Sequence, residues 1–193
     1  MLPMPVPVAS ILCCRKLLPA SPFVFGNGAW YTRQRLSPQA MGATDVAVAL
    51  VQLARPLGFH VTVVDGRDRW ANRERFPTAD ALCVGMPSEL ISAMPLTPAT
   101  ALVLLAHDFK YDIPVLEVAL KSRVGYIGVL GSRRRASVIR DALTSMGATE
   151  SELARIRIPV GLSIGARTPS EIALSVLAEL VSIRSGVGSE TTR

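Results

Sequence analysis

Ala101-Leu102-Val103-Leu104-Leu105-Ala106 is the most apolar run of the chain, and a continuous apolar run, as opposed to an alternating one, marks a strand buried on both faces. The polar stretch His107-Asp108-Phe109-Lys110-Tyr111-Asp112 follows at once. Val115, Leu116, Ala119 and Leu120 then predict a helix over 113–122. A buried strand that hands over to a helix is half of a βαβ unit, the connection that parallel strands require.

The alternation extends in both directions. Upstream, Val46, Ala49, Leu50, Leu53, Ala54 and Leu57 recur at helical spacing, and Gly58 stands where a helix C-terminal glycine belongs. A β-branched strand over 60–65 ends in Asp65, and a polar loop leads to a brief strand over 81–84 and a short helix over 88–94. Downstream come a strand over 124–130 and a helix over 132–146, closed by Gly147. Thr149-Glu150-Ser151-Glu152 and Thr168-Pro169-Ser170-Glu171 both fit the reciprocal capping box, and the second starts the last helix, which ends near Gly186. The expectation is a single α/β domain over 39–186, a doubly wound, mostly parallel sheet with helices on both faces, Rossmann-like. Residues 1–38 carry five prolines before Pro38 and no hydrophobic period, and are expected to be irregular; 187–193 are expected to be a disordered tail. The abrupt change of character suggests that the front segment lies upstream of the true start or replaces a lost domain.

The 193 residues are 49% hydrophobic, enough for a core, and no apolar window is long enough for a membrane span. The formal charge of +6 is concentrated at the front. Arg15, Lys16, Arg33 and Arg35 lie there without any acid, so 17 of the 21 basic residues face all 15 acidic ones in the rest. The densest basic run, Arg133-Arg134-Arg135, has no interleaved aromatics, so nucleic acid is not an expected partner. Cys13, Cys14 and Cys83 form no CxxC pair and lie far from the histidines, so neither a metal site nor a disulfide framework is legible, and a cytoplasmic location fits.

Ligands of such sheets bind at the carboxyl ends of the strands, which directs attention to four loops. The turn Gly42-Ala43-Thr44-Asp45-Val46-Ala47 keeps the first glycine of a dinucleotide fingerprint, and Asp65 stands where a ribose-binding acid would, with Arg67 beside it. Thr44, however, carries a side chain where a pyrophosphate should approach, and Pro38 is expected to interrupt the preceding strand. The second loop gathers His107, Asp108, Lys110 and Asp112 at the end of the central strand, as a site or as helix-capping scaffold. The third delivers Gly128, Gly131, Ser132, Arg133 and Arg134 to a helix start, where arginines oppose the dipole unless an anion sits there. In the fourth, Gly161 and Gly165 precede Arg167 and Thr168 at a capped helix, as an anion site or as glycines needed for unusual backbone angles.

Taken together and in this order, these motifs resemble the XdhC/CoxI family of xanthine dehydrogenase accessory proteins. The residues that carry the likeness are His107-Asp108 with Lys110 and Asp112, and Tyr126-Ile127-Gly128 with Leu130-Gly131-Ser132-Arg133-Arg134. They are joined by Gly161-Leu162 with Ile164-Gly165-Ala166-Arg167-Thr168-Pro169 and Glu171-Ile172-Ala173. Arg75-Phe76-Pro77 with Ala79-Asp80 adds to it. The resemblance implies a chaperone, with no catalytic residue assigned, that binds molybdenum cofactor (molybdopterin) and helps deliver it to a molybdenum hydroxylase. The implied partners are that hydroxylase and a cysteine desulfurase. Full-length members carry a cysteine-bearing Gly/Ser motif in an N-terminal domain; residues 1–41 do not match it, so a separately encoded N-terminal domain is a further expected partner. Ser163 stands where the family usually has aspartate. Two other readings stand beside this one: an NAD(P)-linked oxidoreductase built on Gly42 and Asp65, and a non-catalytic interaction module. A homodimer is left open.

Overall fold

Strands too apolar to face water must be covered on both sides, and the chain does this with crossover helices. The computed structural model describes residues 37–106 and 108–186. Strands β1 (Ser37–Met41), β2 (Thr62–Asp65), β3 (Ala81–Val84), β4 (Thr100–Leu104), β5 (Tyr126–Val129) and β6 (Ile156–Arg157) form one sheet in the order β3-β2-β1-β4-β5-β6. All its pairings are parallel. The connections carry α1 (Asp45–Ala54), α2 (Pro87–Ser92), α3 (Phe109–Leu120), α4 (Arg133–Ser145), α5 (Glu150–Leu153) and α6 (Pro169–Arg184).

The central run explains both faces at once. Side chains alternate across a strand, so Ala101, Val103 and Leu105 join the core under α1 and α6, with Ala47, Leu50, Val176 and Leu177. Leu102 and Leu104 join the opposite core under α2, α3 and α4, with Leu90, Leu116, Ile127 and Ile139. Every β4 side chain is buried, which is why the sequence shows no polar alternation there.

The structure differs from expectation at β1, at the start of α3 and at β6. β1 runs through Pro38, which does not interrupt it, because the ladder to β2 starts only at Gln39↔Thr62, one residue further on. Helix α3 starts at Phe109, four residues ahead of the predicted start, since Asp108 accepts a hydrogen bond from the Lys110 N–H (3.0 Å) and caps it; Pro114 falls inside. β6, with two residues, is too short to leave a pattern. Both predicted capping boxes are present, at Thr149 and at Thr168. Of the front segment, residues 1–36 lie outside the described residues, as do His107 and the tail 187–193. Cys83 is buried on β3 and is not a free thiol, which the cysteine spacing does not reveal. No helix among the described residues is long and apolar enough to cross a membrane.

A buried carboxylate ties the C-terminal half together. Glu179, on α6, is 4% exposed and accepts from the Tyr126 hydroxyl (2.6 Å), the Arg157 guanidinium (2.9 Å) and the Gly161 N–H (2.8 Å). Burial, and then the charge of Glu179, push the Tyr126 hydroxyl well above its ordinary range, so it stays protonated and donates. Gly161 has φ +92°, and a Cβ there would collide with the Ser175 hydroxyl and lie 3.0 Å from the backbone of α6. Gly161→Ala is therefore expected to cost about 2–4 kcal/mol in urea denaturation, from left-handed strain plus overpacking. Gly147→Ala is expected to cost only about 1–2 kcal/mol, since Gly147 shares the same φ but nothing lies near its Cβ position. Equal losses at the two sites would contradict the packing account.

Candidate functional site

The strand order reverses between β1 and β4, and there the following helices leave to opposite faces, α1 to one and α3 to the other. A cleft of about 320 Å³ opens at this point, at the carboxyl ends of the two strands. Met41, Pro87 and Val115 give it an apolar lining, while Thr44, Asp65, Arg67, Asp108, Tyr111 and Asp112 supply polar atoms. Gly42 sets its inner edge. With φ +100° and a hypothetical Cβ only 2.8 Å from the Ala106 N and 2.9 Å from the Ala106 Cβ, no side chain fits there.

Asp65, 4% exposed, holds this edge in place. Its Oδ2 accepts from the Ala43 N–H (2.7 Å) and Arg67 Nη2 (3.0 Å), and its Oδ1 from the Arg67 N–H (2.9 Å) and Arg67 Nε (2.9 Å). Burial favours the neutral acid, but the Arg67 guanidinium and the two backbone donors outweigh it, so the carboxyl is held below the usual aspartate range. The Arg67 guanidinium in turn keeps its proton more firmly, first through the hydrogen bond to Asp65, with Tyr111 and Asp108 across the cleft adding to the effect. The segment that follows is pinned by Arg75, which donates to the Ala43 carbonyl (2.8 Å) and to Asp45 (2.8 Å) and stacks 4.7 Å from the Trp70 ring centroid.

The opposite wall is the first turn of α3. Asp112 is 2% exposed and pairs with Arg135 from α4, whose guanidinium also lies 4.3 Å from the centre of the Phe109 ring. Gly131 leaves the space that the Arg135 stem occupies. The third loop thus braces the cleft wall from behind through Arg135 and Asp112, and the sequence offers Arg135 only as part of a basic run.

Of the residues singled out in the sequence, the structure brings Gly42, Asp65, Arg67, Asp108 and Asp112 to one cleft. His107 lies outside the described residues. Lys110, Ser132, Arg133 and Arg134 are exposed beyond its lining, and Ser132 caps α4. Gly128 packs against Val160 and the Tyr126 ring, as Gly161 packs against α6. At Arg167 and Thr168 the helix-start donors are taken internally, because Glu171 accepts from both N–H groups (2.8 and 2.9 Å); these bonds, that of Thr168 first, hold its carboxyl below the usual range. Gly165, with φ +75°, has open space around it. Sequence reasoning misses Tyr111 and Arg135: Tyr111 stands inside a quoted motif, but only the fold shows that it faces Arg67 across a gap. Among the described residues no cluster of His, Cys, Asp or Glu is arranged to hold a metal ion.

The strand order with a cleft at its switch point defines a Rossmann-type domain. A family model described as the XdhC Rossmann domain matches residues 39–180, and the chain belongs to that family. A Bacillus subtilis (strain 168) protein named as a probable xanthine dehydrogenase subunit is 32% identical over 158 residues, covering 80% of this chain and 46% of that one. The molybdenum cofactor insertion chaperone PaoD of Escherichia coli (strain K12) is 36% identical over 110 residues, covering 54% of this chain and 35% of that one. A crystal structure described as a xanthine dehydrogenase from Bacillus halodurans matches with a TM-score of 0.70 at 28% identity, over 82% of this chain and 45% of that one. The chain spans less than half the length of each of these relatives.

The depressed Asp65 pKa fixes the sign of an acid dependence. Its contribution is fully present above the ordinary aspartate value of 3.8 and is lost as pH falls through the lower folded value. Asp65→Asn is expected to lower the urea midpoint at neutral pH and to flatten the loss of stability below about pH 4 relative to the unsubstituted chain. Parallel acid limbs would show that the carboxylate is not held in the Ala43 and Arg67 cradle. Asp112→Ala leaves the Arg135 guanidinium buried without this counter-ion, and the expected loss in the same measurement is about 3–5 kcal/mol.

Proposed function

We propose that the chain is an accessory protein for maturation of a molybdenum hydroxylase such as xanthine dehydrogenase, and that its cleft holds molybdenum cofactor for delivery. The observation that carries this is the position of the cleft. It lies at the β1/β4 switch point of a chain belonging to the XdhC family, and its walls include Asp108 and Asp112 of the motif that marks the family resemblance. The residues present fit the group. At about 320 Å³ the cleft is in the lower part of the small-molecule range, with an apolar lining suited to a flat heterocycle, the exposed Asp108 carboxylate, which would accept from ring N–H groups, and the Arg67 guanidinium, which would take a phosphate. When bound, the cofactor supplies the dithiolene-held molybdenum that the hydroxylase uses. The protein's own part is to bind and orient: Met41, Pro87 and Val115 exclude water from one side, Gly42 admits the ligand close to backbone, and Asp108 and Arg67 mark its two ends.

The wider set of site residues, His107, Lys110, Gly128, Gly131, Ser132, Arg133, Arg134, Gly161, Gly165, Arg167 and Thr168, belongs to this proposal in a supporting role. Lys110, Ser132, Arg133 and Arg134 are exposed and offer a surface toward a partner, Gly128 and Gly161 pack the interior, and the cleft residues make the contact. A molybdenum hydroxylase is the partner this role requires, with a cysteine desulfurase, a separately encoded N-terminal domain and a second copy of the chain as further proposed partners, all in the cytoplasm.

A second reading, an NAD(P)-linked oxidoreductase, rests on the position of the Gly42 turn between β1 and α1 at the switch point, where a dinucleotide would approach the backbone. Equilibrium dialysis separates the two. Retention of isolated molybdenum cofactor by the protein, reduced at least about tenfold by Gly66→Trp, is the expected result, since a large side chain is added at an exposed position of the cleft lining with room for its Cβ. Saturable dinucleotide binding with turnover of a hydride donor, and no retention of the cofactor, would replace the carrier with the enzyme.

A further inference from the structure

Asp65 ends β2 where an acid ordinarily accepts a ribose hydroxyl, and the geometry shows why it does not take that part here. A carboxylate has about four lone-pair sites. In Asp65 all are engaged, by Ala43 N–H, Arg67 N–H, Arg67 Nε and Arg67 Nη2, at 2.7 to 3.0 Å. Nothing is left for a ligand hydroxyl without dismantling the turn that forms the inner edge of the cleft.

Arg67 is in the opposite condition. Guanidinium has five N–H donors, and the pair with Asp65 uses two, one on Nε and one on Nη2. The other three remain, on a side chain that is 53% exposed and lines the cleft, beside a carboxylate only 5% exposed that fixes the plane of the fork. Across the gap stand Tyr111 and Asp108, and Asp108 spends one oxygen on the Lys110 N–H. The cleft therefore has a cationic wall and an anionic wall, which orients a ligand bearing a phosphate at one end and N–H donors at the other.

The geometry points to Arg67 as the residue that selects ligands bearing a phosphate monoester, and to Asp65 as the positioning residue that aims it, not a hydroxyl acceptor. This deepens the cofactor-carrier reading and rests on it for the pterin half of the ligand. The shared chemistry is the monoester, and its two sources, a pterin phosphate and the 2′-phosphate of NADP, are told apart by paired probes. Isothermal titration calorimetry of the full chain with 6-hydroxymethylpterin against its phosphate ester, and with NAD against NADP, reads the preference in each pair.

The expected result is a preference of at least about tenfold for the phosphate-bearing member of the pterin pair, the scale of a charge-assisted hydrogen bond. It is lost in Arg67→Gln and kept in part by Arg67→Lys, which retains the charge without the fork. Arg67→Gln leaves the buried Asp65 carboxylate without its cation, so folding of both variants is checked by urea midpoint and the preference is read as a ratio within each pair, which a shared loss of folded protein does not change. Asp65→Asn is expected to erode the phosphate preference, read as the ratio of the two affinities within the pair, whatever it does to both members alike. A preference as large as that of the unsubstituted chain would overturn the positioning role of Asp65. No phosphate preference in either pair, its survival in Arg67→Gln, or no saturable binding of any of the four probes overturns the assignment of Arg67. Preference confined to NADP keeps Arg67 as the selector and removes the carrier reading. Pterin binding without preference keeps the carrier reading and removes Arg67.

Discussion

β1 and β4 lie side by side in parallel from Ser37↔Thr100 to Met41↔Leu104, yet the chain leaves them in opposite directions, to α1 on one face and α3 on the other. Two parallel strands whose crossovers diverge leave a gap at their carboxyl ends that no side chain of either strand can close. Gly42 keeps the gap open from one side by its contact with the backbone of Ala106, and the buried pair of Asp112 and Arg135 stiffens the other. The cleft follows from that topology, and its polar residues are arranged on walls whose position the sheet has already set.

Electrostatics then differentiates the two walls. On the β2 side a depressed carboxylate is consumed in orienting Arg67 and the Ala43 N–H, so the charge offered outward is positive. On the α3 side Asp108 is exposed at the cap and Asp112 is neutralised by Arg135 behind it. In the C-terminal half, Glu179 and Glu171 use the donors of Gly161, Arg167 and Thr168 for the fold itself. Carboxylates that satisfy the protein's own donors separate the loops that scaffold from the loops that remain open to a ligand.

Much of this is legible in the sequence, for identifiable reasons. The apolar run 101–106 has to be buried on both faces, and the two capping boxes announce their helices by spacing alone, so β4, α5 and α6 follow directly. β1 is obscured by Pro38, because tolerance of a proline depends on where the neighbouring ladder begins, which no local pattern encodes. Within the site, Gly42, Asp65, Arg67, Asp108 and Asp112 all stand out by residue type and position, but that they line one cleft does not. The turn at Gly42 departs from a dinucleotide fingerprint at Thr44 and Ala47, while Arg167 and Thr168 stand at a helix start that could suit an anion or serve as scaffold. That Glu171 already occupies their donors, and that Arg135 reaches back to Asp112, are facts of packing across distant segments.

Placement of the ligand at the β1/β4 switch point is tested most directly by following backbone amide resonances of the isotopically labelled chain during titration with 6-hydroxymethylpterin phosphate. Saturable shifts concentrated at Gly42 to Asp45, Gly66 to Arg67 and Asp108 to Asp112 are the predicted result. Shifts concentrated at Gly131 to Arg134 or at Gly165 to Thr168, with the Gly42 turn unmoved, would contradict it.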